Sequence, residues 1–398
     1  MVKTIKAHSS NVTAISAEGG KIISGSKDFK IAIISSQTGG NFKLDRLIDL
    51  GTGTLLQPKS VDFFNGNLLV GLRNGTIIEY PKVLESGDSA PEQRVLVSSH
   101  FEGETWGLCV LDDNTVLTSG DDNRINLLDF EGKKFVRGGK VSENKMKDPA
   151  KKSTASSMSQ FPPNKQARAI CASKKHNHLV VCSNMGKTSI RDFADFDKKI
   201  CSLKEAKEWS EVAQYSPCEN YLAVGSHDNK IYIYAVNEAH EYSLWATADK
   251  HSSFVNSMDW STDSKWIRST SGDHNTHYFD VLGKCEDSRG SAHSREETWA
   301  AQSLKLGTDR AGIKPAGEDG THINDVAMSP DGGLLVTADD YGLVNVYNYP
   351  VEQASSASRS FSAHSEHVVR VEFSRDGKRL FSLGGQDKTL VQWRIKPQ

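Results

Sequence analysis

The residues of this chain that could do chemistry form a few short groups. His176-x-His178, His274-x-x-His277 and His364-x-x-His367 each have the spacing of two zinc ligands. Met185-Gly186-Lys187-Thr188-Ser189 echoes the end of a phosphate-cradling loop. None of these is complete. The histidine pairs lack a third Cys or His at suitable spacing. The loop has Val181 where a glycine is needed, and the run after it, TSIRDF, reads as a strand and not a helix. The paired carboxylates Asp121-Asp122 and Asp339-Asp340 fall in strand-connecting turns, where Asp is common for backbone reasons. No G-x-S-x-G elbow occurs, and no Ser/His/Asp set stands apart from repeated positions. The expectation is a non-enzymatic protein with no cofactor, no bound metal and no small-molecule substrate.

The repeated positions explain most of these side chains. In the last segment, AHSEHVVRVEFSRDGKRLFSLGGQDKTLVQWRI, Asp387 lies six residues before Trp393 and follows His364. The same six-residue frame fits Asp28 to Ile34, Asp122 to Leu128, Asp228 to Tyr234 and Asp273 to Phe279. His8, His100 and His251 open three other segments, and eight segments in all fit strand, tight turn, strand. Segment four, residues 167–193, is the most degenerate. A unit of four short strands cannot bury its own apolar faces, so copies must stack. That is the pattern of an all-β, WD40-type β-propeller. These His and Asp residues are therefore expected to support the fold, the carboxylate accepting hydrogen bonds from the imidazole and nearby backbone. Residues 2–5 read as a lone strand that could complete the last blade. One ring of eight blades over residues 1–398 is the expected architecture, with six or seven blades plus extra strands as the alternative.

Two stretches break the repeat. Residues 133–168 carry ten Lys/Arg against two acidic residues, with Ser and Pro, and read as a flexible basic insertion. Residues 283–319 read as an irregular linker between blades. The whole chain has 48 Lys/Arg against 50 Asp/Glu, so any attraction for an acidic partner is local to the insertion. Lys145, Lys147, Lys151 and Lys152 are the expected contacts. The insertion has few aromatics to stack on bases, which argues against nucleic acid. The six cysteines show no C-x-x-C pair. No run of eighteen apolar residues and no signal-peptide core occur, so a soluble cytoplasmic chain without membrane contact is expected.

Several phrases go beyond the generic repeat: YLAVGSHDNKIYIYAV (221–236), HSSFVNSMDWSTDSKWIRSTSGD (251–273), DGTHINDVAMSPDGGLLVTADDYGLVNVYNYP (319–350) and the last segment. They resemble the echinoderm microtubule-associated-protein-like family. Gly312-Ile313-Lys314-Pro315 resembles that family's Gly-Ile-Trp-Pro element with Lys for Trp, and Trp299 fits the tryptophan before it. The resemblance is specific over 200–398 and looser over 1–200. It covers only the C-terminal part of the family's tandem propellers, and the basic insertion is foreign to it. It implies a scaffold that associates with tubulin, microtubules and other proteins at the cytoskeleton.

Overall fold

The computed structural model describes residues 5–38, 41–51, 53–85, 89–141, 166–314, 320–353 and 356–396. Period-two segments separated by tight turns can pair only with their chain neighbours, and they do. The strands form eight antiparallel sheets, each a meander in chain order. The first strands of sheets one to eight are Val12–Glu18, Pro58–Phe64, Thr105–Val110, Ala167–Ser173, Ser210–Tyr215, Val255–Trp260, Ile323–Met328 and Val368–Phe373. The chain divides into two compact units, Met1–Phe101 and Glu102–Gln398. The first holds sheets one and two, packed through Ile23, Ile31, Ile33, Leu68 and Val70.

In the second unit sheets three to six, and sheets seven and eight, pack apolar face to apolar face. Leu117 and Ile125 meet Ile170 and Leu179. Val180 and Ile190 meet Leu222 and Val224, and Ile233 meets Met258 and Trp260. Val336 and Val344 meet Val371 and Leu380. Sheets six and seven are joined by the irregular stretch, which is ordered over 290–314. Its Ala300 amide donates to the Trp260 carbonyl at 2.8 Å, and Gly312 donates to Val351 at 2.7 Å. Arg310, 2 % exposed, donates to the carbonyls of Gln302 and Leu304 and pairs with Asp309 at 2.7 Å.

Sheet eight packs against sheet three. Phe381 and Leu383 share one cluster with Leu108, Val110 and Val116. The Thr105 amide donates to Gly385 at 3.1 Å. A single ring of eight blades in chain order would instead set sheet eight beside sheet one. Residues 1–4, part of the expected closing strand, lie outside the described residues.

The basic stretch also differs from its expected form. Lys134–Lys140 is the fourth strand of sheet three, and Arg168 lies in the first strand of sheet four. The alternating exposure of Lys134–Lys140 reflects a strand with one face against a neighbour, which its lysines and Gly138-Gly139 mask in the sequence. No helix among the described residues is long and apolar enough to cross a membrane.

Candidate interaction site

The repeated His and Asp positions form hydrogen-bond networks. His364 Nδ1 meets Asp387 at 3.2 Å and its Nε2 meets the Ser382 hydroxyl at 2.7 Å, while Trp393 Nε1 donates to Ser382 at 2.8 Å. His251 repeats this with Asp273 and Ser269, and His8 with Asp28 and Ser24. Burial tends to raise each carboxyl, but amide donors and the imidazole outweigh it and hold Asp28, Asp273 and Asp387 below the usual range. Burial lowers His251 and His364, keeping them neutral at pH 7.

In sheet five Ala206 stands where the histidine would be. Asp228 accepts instead from the Lys207 amide and the Tyr232 hydroxyl, and its Oδ1 is buried without a partner. Buried Asp122 accepts from the Arg124 amide at 3.1 Å, and His100 is half-buried on the segment before sheet three. Replacing His364 by alanine would strand two buried hydrogen-bonding groups, at a cost of about 2 kcal/mol. Thermal unfolding should then fall by roughly 4 °C. An unchanged midpoint would mean that the network does not hold the sheet.

The histidine pairs gain partners from elsewhere in the fold. His277 comes within ligand distance of His251 and Asp273, their ligand atoms within 4.8 Å. Both nitrogens of His251 are already engaged, however, by Asp273 and Ser269. His176 Nδ1 meets His240 Nδ1 at 2.7 Å, and His178 Nδ1 meets the Tyr242 hydroxyl at 2.8 Å. His240 carries no sequence signal for this role. His367 pairs with Glu104 at 3.5 Å, which raises the imidazole and lowers the carboxyl.

A different site arises from a recurring backbone feature. Near the start of every first strand the pairing register slips, as at Ala167/Ile170, Ser210/Val212 and Val255/Ser257. Such bulges re-aim a side chain. In the second unit Trp106, Arg168, Glu211 and Asn256 sit at these bulges. The six first strands line a cavity of about 540 Å³, with Glu211 and Asn256 on its wall. Arg168 lies 4.1 Å from the Trp106 ring centre and 4.8 Å from that of Trp209, and it pairs with Asp121 at 2.8 Å. Trp209 touches His227 at 4.2 Å, and His227 stacks on Phe254 at 4.7 Å.

On the cavity wall, Glu211 accepts from His227 at 2.9 Å, and Arg370 donates to the Glu211 carbonyl at 2.7 Å. Burial pushes Glu211 up, but His227, Lys305 and Arg370 outweigh it and leave the carboxyl below its usual range. Burial pushes Glu372 up to about 8, so it is a neutral acid at pH 7. It also keeps the Cys109 and Cys171 thiols protonated. The chemistry on offer is recognition by aromatic faces and paired charges. The predicted contacts Lys145, Lys147, Lys151 and Lys152 lie outside the described residues.

Stacked four-stranded meanders, His–Asp–Ser networks at their turns and a central cavity define a WD-repeat β-propeller protein. The model of the family described as "Echinoderm microtubule-associated protein second beta-propeller" matches residues 105–395, and that described as "WD domain, G-beta repeat" matches 1–35. The chain belongs to the echinoderm microtubule-associated protein family. It is 42 % identical over 379 residues to the ciliary WD repeat-containing protein ctxp80 of Euplotoides octocarinatus, covering 95 % of this chain and 50 % of that protein. It is 35 % identical over 347 residues to the 77 kDa echinoderm microtubule-associated protein of Strongylocentrotus purpuratus, covering 86 % and 45 %. It is 32 % identical over 332 residues to human echinoderm microtubule-associated protein-like 3, covering 82 % and 33 %. The chain thus spans half or less of the length of these relatives.

Proposed function

We propose that this chain is a non-enzymatic WD-repeat scaffold that associates with tubulin or a microtubule-based structure in the cytoplasm. The observation that carries this reading is the family match over 105–395, together with relatives named as microtubule-associated and ciliary proteins. The basic insertion supplies the contact to the acidic tails of tubulin through Lys145, Lys147, Lys151 and Lys152. Attraction between exposed charges is screened within about 8 Å at physiological ionic strength. Deleting residues 142–160 should therefore weaken tubulin binding several-fold at low salt and little at high salt. Gel filtration with light scattering of chain and tubulin mixtures reads this directly. Equal loss at both salt concentrations would overturn the electrostatic contact, and a lone peak at one chain's mass would overturn tubulin binding by this chain.

A second reading, an adaptor that presents other proteins without touching tubulin, is favoured by the cluster of aromatic and arginine side chains formed by Trp106, Arg168, Trp209, His227 and Phe254. Desolvated aromatic and Arg clusters are typical anchors of protein interfaces. Substituting Phe254 would then abolish partner capture while leaving tubulin binding unchanged.

A further inference from the structure

Sheet eight has three strands among the described residues, whereas the other sheets of the second unit have four. Among the described residues its third strand, Leu390–Arg394, is paired on one side only, with Arg379–Gly384. Thr389 accepts from the Gly384 amide at 2.9 Å and Ile395 donates to the Lys378 carbonyl at 2.8 Å. Backbone groups alternate sides along a strand, so those of Leu390, Gln392 and Arg394 point away from the sheet, onto an open edge. Native proteins normally cover, charge or twist such an edge.

The wall beside this edge is also uncovered. Between sheets four and five the fourth strand of one packs on the third and fourth strands of the next. Leu203, which ends a fourth strand in sheet four, shares a cluster with Tyr234 and Tyr242 of sheet five. In sheet seven the fourth strand, Ser358–Ser362, is exposed at every residue. Phe361 is 42 % exposed and meets only the edge of the next sheet, its ring 5.8 Å from that of Trp393. Arg359 shares the face of Phe361, since side chains two apart lie on one side of a strand. Arg394 and Lys396 flank the slot as exposed residues. None of these three cations is paired with a described carboxylate.

We propose that this slot takes up an extended acidic segment of a partner protein as the fourth strand of sheet eight. Main-chain hydrogen bonds to Leu390, Gln392 and Arg394 supply the register-independent part of the binding. Apolar side chains on one face of the guest cover Phe361 and Trp393, and its carboxylates on the opposite face meet Arg394 and Lys396. Charge selects the source. This chain's own N-terminal run carries Lys3 and Lys6, which would lie among like charges, so an acidic guest fits better. The proposal does not depend on tubulin binding, because its probe is synthetic.

The test is hydrogen exchange of the full chain with and without a seven-residue peptide of alternating glutamate and valine. The amides of Leu390, Gln392 and Arg394 should exchange freely alone and slow at least tenfold with peptide. A lysine–valine peptide should give no protection. Gln392→Pro removes an outward amide and leaves the inner ladder intact, so it should abolish the protection. The double variant Arg394→Glu/Lys396→Glu should weaken peptide binding at least tenfold without altering thermal unfolding. Protection of the three amides before peptide is added would overturn the proposal, since the edge would already be occupied by this chain or a second copy. Equal protection by the lysine peptide, or protection confined to other strands, would overturn it as well.

Discussion

Phe381→Ala should destabilise the second unit by about 3–5 kcal/mol, the range for removing a fully buried aromatic ring. Phe381 has 0 % exposure, packs edge-on against Phe130 at 5.0 Å and joins sheet eight to Leu108, Val110 and Val116 of sheet three. The site cannot collapse around the lost ring, because both walls are strands held by their own ladders. Urea unfolding followed by tryptophan fluorescence should show a large drop in midpoint, with proteolysis beginning near residues 105–116 and 379–384. The result that would count against this contact is a midpoint shift below that of an exposed control such as Tyr341→Ala, a residue 71 % exposed.

The second large effect is a pH dependence set by Glu372. Its carboxyl lies at the same junction, where it accepts from the Val110 amide at 3.0 Å, and burial raises it from 4.5 to about 8. The folded chain therefore keeps a proton that the unfolded chain gives up above pH 4.5. Where the folded state holds more protons, stability falls as pH rises, by about 1.4 kcal/mol per pH unit for one group. The loss runs from the unfolded value to about 8 and then levels off. Glu372→Gln keeps an oxygen acceptor for Val110 and has no proton to lose. It should match the wild type near pH 5 and exceed it by a few kcal/mol at pH 9. Parallel stability curves across that range would show that Glu372 does not titrate as a buried acid.

The turns and their partners were largely legible in the sequence. A six-residue spacing from Asp to an apolar or aromatic residue is read locally, and the networks at His8, His251 and His364 lie in that frame. In sheet seven neither Asp339 nor Asp340 stands at that place. The pairing of Ala338 with Val344 puts Tyr341, and not Asp340, at the Asp place, while Asp339 takes the Tyr341 and Leu343 amides. Two adjacent aspartates cannot be told apart without the register. Arg168 is the clearest site residue that composition hid. Counted as one of ten cations in a solvated run, it is buried instead, because Asp121, Trp106 and Trp209 converge on it from other strands.

The sequence by itself determined the strands, their turns and the repeat, because period-two burial and turn chemistry act over about ten residues. It also determined the family, through phrases that lie mostly within single sheets. The tertiary structure alone decided that sheet eight meets sheet three, and which side chains gather around Arg168. Those contacts join residues as far apart as Thr105 and Gly385, 280 positions along the chain. At that distance identical repeats are interchangeable in sequence, and only packing and register choose among them.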